Sequence, residues 1–129
     1  MPSRARDWFS QAVRDLEQAQ DSQQAGRHEW ACFAAQQAAA KSAKSLQLHA
    51  GQRNRAYSVS EILAKLKMII NIPAGILEKG TVLDNFYIPA RYPNSHPQGA
   101  PFEHYGPLQS ETAVNYAREI IDFARARMA

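Results

Sequence analysis

Arg91 and His96 are the two side chains whose types and spacing offer the clearest chemistry. They bracket the stretch Ala90-Arg91-Tyr92-Pro93-Asn94-Ser95-His96, where a helical pattern gives way to prolines. Arginine stays charged and can fork onto two oxygens of a phosphate. Histidine changes charge near neutral pH and can carry a proton. Asn94 and Ser95 add hydrogen-bonding groups and Tyr92 an aromatic face. Together these groups could bind an anion and move a proton. The same residues also fit a bland reading, with Arg91 bonded inside the fold and His96 exposed at a loop tip.

Further groups could assist them. Lys41 and Lys44 fall on one helical face with Gln37 a turn earlier, so they could offer donors to an anion or form a solvated face. Asp84 lies a short way before Tyr87 and Arg91; it is read either as a surface group or as the carboxylate that orients Arg91. Tyr87, Tyr92 and Tyr105 supply rings on which a base could stack. The single cysteine, Cys32, sits among apolar residues and is read as a small core residue. His28, His49 and His104 are scattered, without ligand-spaced acids or a cysteine near them, so neither a metal site nor a cofactor is expected.

The elements that must position these residues are helical. Ala5, Trp8, Phe9, Ala12, Val13, Leu16 and Ala19 recur at three- and four-residue spacing, which predicts a first helix from Ser3 to about Gln24. Ser3 can cap it, and Gly26 suits a left-handed C-terminal turn. A second helix from about Arg27 to Leu48 should turn Trp30, Ala31, Ala34, Ala38 and Leu46 inward. Its seven alanines between Ala31 and Ala43 permit close helix approach, which marks it as the central helix. A polar linker at 51–55 leads to Ser58, which is in capping-box register with Glu61. Val59, Ile62, Leu63, Leu66, Ile69 and Ile70 then predict a third helix ending near Asn71.

Pro73 suits the first turn of a fourth helix reaching about Ile88, weakened by Gly75 and Gly80. Five of the seven prolines lie between Pro89 and Pro107, which excludes continuous helix there and predicts an irregular loop. Its rings, Tyr92, Phe102 and Tyr105, suit packing onto the helices or closure over a ligand. A last helix is expected from near Ser110 to the C-terminus, burying Ala113, Val114, Ala117, Ile120, Ile121, Ala124 and Met128. The pattern predicts an all-α, antiparallel four- to five-helix bundle.

At 129 residues the chain fits one domain spanning 1–129, able to bury a core without disulfides or metal. Its net charge of +3 permits nucleic-acid binding without implying it. No apolar run approaches the roughly 20 residues needed to cross a bilayer, and the N-terminus lacks an apolar signal region. No membrane association is expected, and by elimination a cytoplasmic location is.

Three stretches resemble the HEPN family, the higher eukaryotes and prokaryotes nucleotide-binding domain. They are Phe33-Ala-Ala-Gln-Gln-Ala-Ala-Ala-Lys-Ser-Ala-Lys, Arg55-Ala-Tyr-Ser-Val-Ser-Glu-Ile-Leu and Leu83-Asp-Asn-Phe-Tyr-Ile-Pro-Ala-Arg-Tyr-Pro-Asn. The Tyr-Ile-Pro-x-Arg-Tyr-Pro run is the most specific and resembles an Arg-Tyr-Pro subgroup. The resemblance implies a helical bundle, commonly a homodimer, found beside a small nucleotidyltransferase. Some members are metal-independent ribonuclease toxins that use an Arg and a His separated by four to six residues; Arg91 and His96 meet that spacing. Others bind nucleotides or assist the nucleotidyltransferase. Ala40 and Tyr57 stand where members often carry Glu and His, and His96 is not a standard element of the subgroup.

Three functions therefore remain open. The first is a nucleotide- or RNA-binding module that uses Lys41, Lys44, Asp84, Tyr87, Arg91, Tyr92, Asn94 and Tyr105 and works with a nucleotidyltransferase partner. The second is a metal-independent ribonuclease, the toxin of a toxin-antitoxin pair, in which His96 transfers protons and Arg91 stabilises the charged phosphorane. The third is a purely structural partner subunit.

Overall fold

The structure is a computed structural model that describes residues 4–53 and 55–129. These residues form five α-helices and no strand: α1 Ala5–Gln24, α2 His28–His49, α3 Val59–Leu66, α4 Ala74–Asp84 and α5 Pro107–Met128. Two short 3-10 turns, Pro93–Ser95 and Pro101–Glu103, interrupt the segment between α4 and α5. The proposed Ser3 cap lies outside the described residues.

α2 is the central helix, packed chiefly between α1 and α5. Its alanines explain the position. Ala31, Ala35, Ala38, Ala39 and Ala43 are buried, together with Cys32, Gln36, Ser42, Ser45, Leu46 and Gln47, so the helix is covered around most of its circumference. Small side chains on the inner helix let larger ones enter from the neighbours: Ile62, Leu63 and Leu66 from α3, Leu83 from α4, and Ile120 and Ile121 from α5. Trp30, expected inside, is 47% exposed, and Ala34 is only half-buried. Trp8 likewise stands at the surface, while Ala5, Ala12 and Ala19 make the inner contacts of α1. The bulky rings find no room where two helix backbones approach this closely.

Gly26 has φ +78°, and the Arg27 N–H reaches the Ser22 carbonyl at 2.8 Å, closing the expected left-handed turn after α1. Gly51, φ +82°, does the same after α2. With only residues 25–27 between them, α1 and α2 must run antiparallel.

Three helices depart from the sequence reading at their ends. α3 stops at Leu66, where i→i−3 bonds from Met68 and Ile69 tighten the last turn and leave both side chains in solvent. α4 begins at Ala74, with Pro73 as the residue before it, and stops at Asp84, four residues short of Ile88. α5 starts at Pro107, one turn before Ser110: proline suits the first helical position, and the Gln109 side chain accepts the Gly106 N–H at 3.0 Å. Ser110 is instead buried, donating to the Pro107 carbonyl and lying 2.8 Å from His28 Nδ1.

Candidate functional site

Lys41 and Lys44, half-buried on α2, line a cavity of about 500 Å³ with Arg55, Tyr57, Trp8 and Tyr87. Its floor is apolar, from Ala40, Ala56 and Ile62. The central helix places the lysines, the linker after α2 contributes Arg55 and Tyr57, and the turn after α4 contributes Tyr87. Lys41 reaches this cavity already held by Asp15 of α1, at 2.6 Å with both side chains largely buried. Tyr57 is 77% exposed, so its ring stands as an open wall rather than as core.

A second cavity of about 350 Å³ shares Tyr57 and Tyr87 with the first. Its other lining residues include Gln36, Ser58, Asp84, Asn85, Ile88 and Pro89. Asp84 does not orient Arg91. One oxygen accepts from the Val59 N–H at 2.8 Å and from Gln36 Nε2 at 3.1 Å, and the other from the Ser60 N–H at 2.9 Å and Ser60 Oγ at 2.6 Å. The carboxylate thus closes the first turn of α3, whose N–H groups have no intrahelical acceptor. Ser58 completes the cap by accepting the Glu61 N–H at 3.1 Å, as the sequence predicted.

Arg91 turns to aromatic rings instead. Its Nε donates to the Tyr87 carbonyl at 2.8 Å, and its guanidinium carbon lies 4.5 Å from the centroid of Phe33, 4.6 Å from that of Tyr87 and 5.1 Å from that of Tyr92. Three rings around one cation form a cation–π cage that fixes the guanidinium beside the groove.

His96 belongs to a separate cluster. Its Nε2 lies 2.7 Å from the Pro89 carbonyl, which can only accept, so Nε2 carries the hydrogen. The ring stacks on His104 at 4.1 Å and meets the edge of Tyr105 at 6.0 Å. His104 in turn reaches the Gln98 carbonyl at 2.6 Å, and Tyr105 packs edge-on against Phe86. Burial, with a smaller contribution from Cys32, raises the Tyr105 phenol above its ordinary range. These rings pin the proline-rich loop to the helices. Asn94 sits exposed in the first 3-10 turn.

Of the residues singled out from sequence, Lys41, Lys44 and Tyr87 share one cavity, and Asp84 lines the adjoining one. Arg91 and Tyr92 flank them through Tyr87, whereas His96 and Tyr105 anchor the loop. Trp8, Arg55, Tyr57 and Asn85 were not among the candidates. The signals for Arg55 were the polar linker at 51–55 and the family-resembling stretch that it opens; Trp8 was assigned to the core.

The family model described as HEPN domain matches residues 5–127. The chain belongs to the HEPN family. Solved structures agree with this assignment. A protein of Thermus thermophilus is 42% identical, with 98% of this chain and 99% of that one covered and a TM-score of 0.94. An archaeal HEPN homologue is 36% identical over the full length of both chains, TM-score 0.84. A HEPN domain protein of Thermotoga maritima is 32% identical over 93% of this chain and 95% of its own, TM-score 0.77. No curated protein matches the sequence. Among the described residues of this HEPN chain, no helix is long and apolar enough to cross a membrane, and no group of three His, Cys, Asp or Glu could hold a metal ion.

Proposed function

We propose that this HEPN domain is a noncatalytic binding module for a nucleotide, with the phosphates on Lys41, Lys44 and Arg55. The observation that carries the reading is the convergence of three cations and three aromatic rings, Trp8, Tyr57 and Tyr87, on one cavity of about 500 Å³. That volume falls within the range of small-molecule sites. Cations supply charge-assisted hydrogen bonds to phosphate oxygens, and exposed rings supply stacking faces. Asp15 holds Lys41 in place before a ligand arrives, which lowers the ordering cost of binding.

Metal-independent RNA cleavage by Arg91 and His96 is the less supported reading. It rests on their spacing, while each side chain has a structural occupation of its own: Arg91 within its aromatic cage, His96 against Pro89 and His104. The Tyr87-Ile-Pro-Ala-Arg-Tyr-Pro93 run supports placement in the Arg-Tyr-Pro subgroup. The homodimer and the nucleotidyltransferase partner follow from the family resemblance and belong to the same proposal. The exposed Trp30, Ile88 and Tyr92 offer apolar surface for such contacts.

Thermal unfolding with and without nucleoside triphosphates, run beside an RNA-cleavage assay in EDTA, separates the readings. The binding reading predicts a rise in Tm with nucleotide and intact single-stranded RNA. Cleavage that disappears in His96→Ala would overturn it in favour of the ribonuclease.

A further inference from the structure

The two cavities that share Tyr57 and Tyr87 differ in the charge of their linings. The larger one collects Lys41, Lys44 and Arg55; the smaller one has no cation in its lining and contains Asp84, a carboxylate whose four partners all donate to it. Three cations gather at the first and none lines the second, so a nucleotide held by its phosphates at the first would direct its base past the tyrosines toward the smaller cavity.

The polar side chains in that smaller cavity are largely committed. Gln36 donates to Asp84 and accepts from Gln37, Ser58 accepts the Glu61 N–H, and Asp84 caps α3. Asn85 is different: it follows the last residue of α4, its backbone N–H bonds to the Val82 carbonyl, and its side chain is exposed at the cavity, which leaves the amide accessible to a ligand. An amide offers a donor and an acceptor side by side.

Building on the nucleotide reading above, we propose that Asn85 is the base-reading residue of this groove and that it selects adenine. Asparagine pairs with the N6 amine and N7 of adenine through two hydrogen bonds, its oxygen accepting from the amine and its nitrogen donating to the ring nitrogen. Tyr57 and Tyr87 border the passage between the phosphate end and the base end and supply faces for the sugar and base.

Calorimetric titration of the full chain with inorganic tripolyphosphate, ATP, GTP, CTP and UTP tests this. ATP is expected to bind about tenfold tighter than the other three nucleotides, the discrimination that one bidentate pair provides. In Asn85→Ala and in the shape-keeping Asn85→Leu, the four affinities should converge while tripolyphosphate binds as before. Circular dichroism confirms that both variants fold. Equal affinities in the unmodified protein, or an ATP preference that survives both substitutions, would overturn the assignment of Asn85 and leave the phosphate site standing. Failure of tripolyphosphate and of all four nucleotides to bind would overturn both readings. A short adenosine oligonucleotide distinguishes sources: weaker binding than ATP supports a free nucleotide, and tighter binding overturns it in favour of an RNA end.

Discussion

Asp84 ties α2 and α3 to the end of α4 through one carboxylate, and its loss should be felt in stability before function. Asp84→Ala leaves the Val59 and Ser60 N–H groups and the buried Gln36 amide without their acceptor. A cost of about 2–3 kcal/mol is expected in urea unfolding, with Asp84→Asn losing less because one oxygen remains. Had Asp84 been a solvated surface group, both variants would unfold like the parent. Cys32 makes a second prediction at this scale. Burial, with a smaller contribution from Glu29, pushes its thiol up to about 12, so at pH 8 it should resist thiol reagents in the native protein and react at once in urea. Since the native value lies above the unfolded one, the folded state holds this proton more tightly. Its contribution to stability is intact below about pH 9 and is lost as the pH rises toward 12. Rapid labelling of the folded chain at pH 8 would contradict that account. From sequence, Cys32 was readable as core because its neighbours are apolar. The partners of Asp84 were not, because they come from residues 24, 25 and 48 positions away.

The helices were legible from periodicity, and the discrepancies lie at their ends and in which residue of a stripe faces in. Seven alanines marked α2 as central, and the structure agrees. The same alanines displaced Trp8 and Trp30 outward, because a helix that approaches its neighbours closely leaves no volume for an indole. Hydropathy alone ranks those tryptophans as core. Gly80 shows a similar limit. It reads as a weak point in α4, yet a Cβ there would lie 2.9 Å from Val59 Cγ1 and 3.1 Å from Leu63 Cδ1, so it is the contact point of α4 with α3. Gly80→Ala should therefore destabilise by about 1 kcal/mol, as the overpacking cost exceeds the gain in helix propensity. Pairing it with Val59→Ala should cost less than the sum of the two single changes, because the second removes the methyl that the first strikes. Strict additivity in denaturant unfolding would show that the two helices do not meet there.

The whole molecule is a helical scaffold whose open groove gathers residues from four distant parts of the chain: Trp8, the Lys41–Lys44 turn, Arg55 with Tyr57, and Tyr87. The lysines and Tyr87 were legible in the sequence, although the Arg91–His96 spacing was its clearest chemical signal. Spacing in a proline-rich loop cannot say where side chains turn, and here the backbone sends Arg91 toward Phe33 and His96 toward His104. The central claim is that the cationic end of this groove binds nucleotide phosphates. Titration calorimetry of ATP against the unmodified chain and a Lys44→Ala/Arg55→Ala variant tests it most directly. Lys41 is left in place, since removing it would strand the largely buried Asp15. The account predicts saturable binding that weakens with salt and drops at least tenfold in the double variant, while its Tm without ligand stays within a few degrees of the parent. Equal ATP affinity in parent and variant would contradict it.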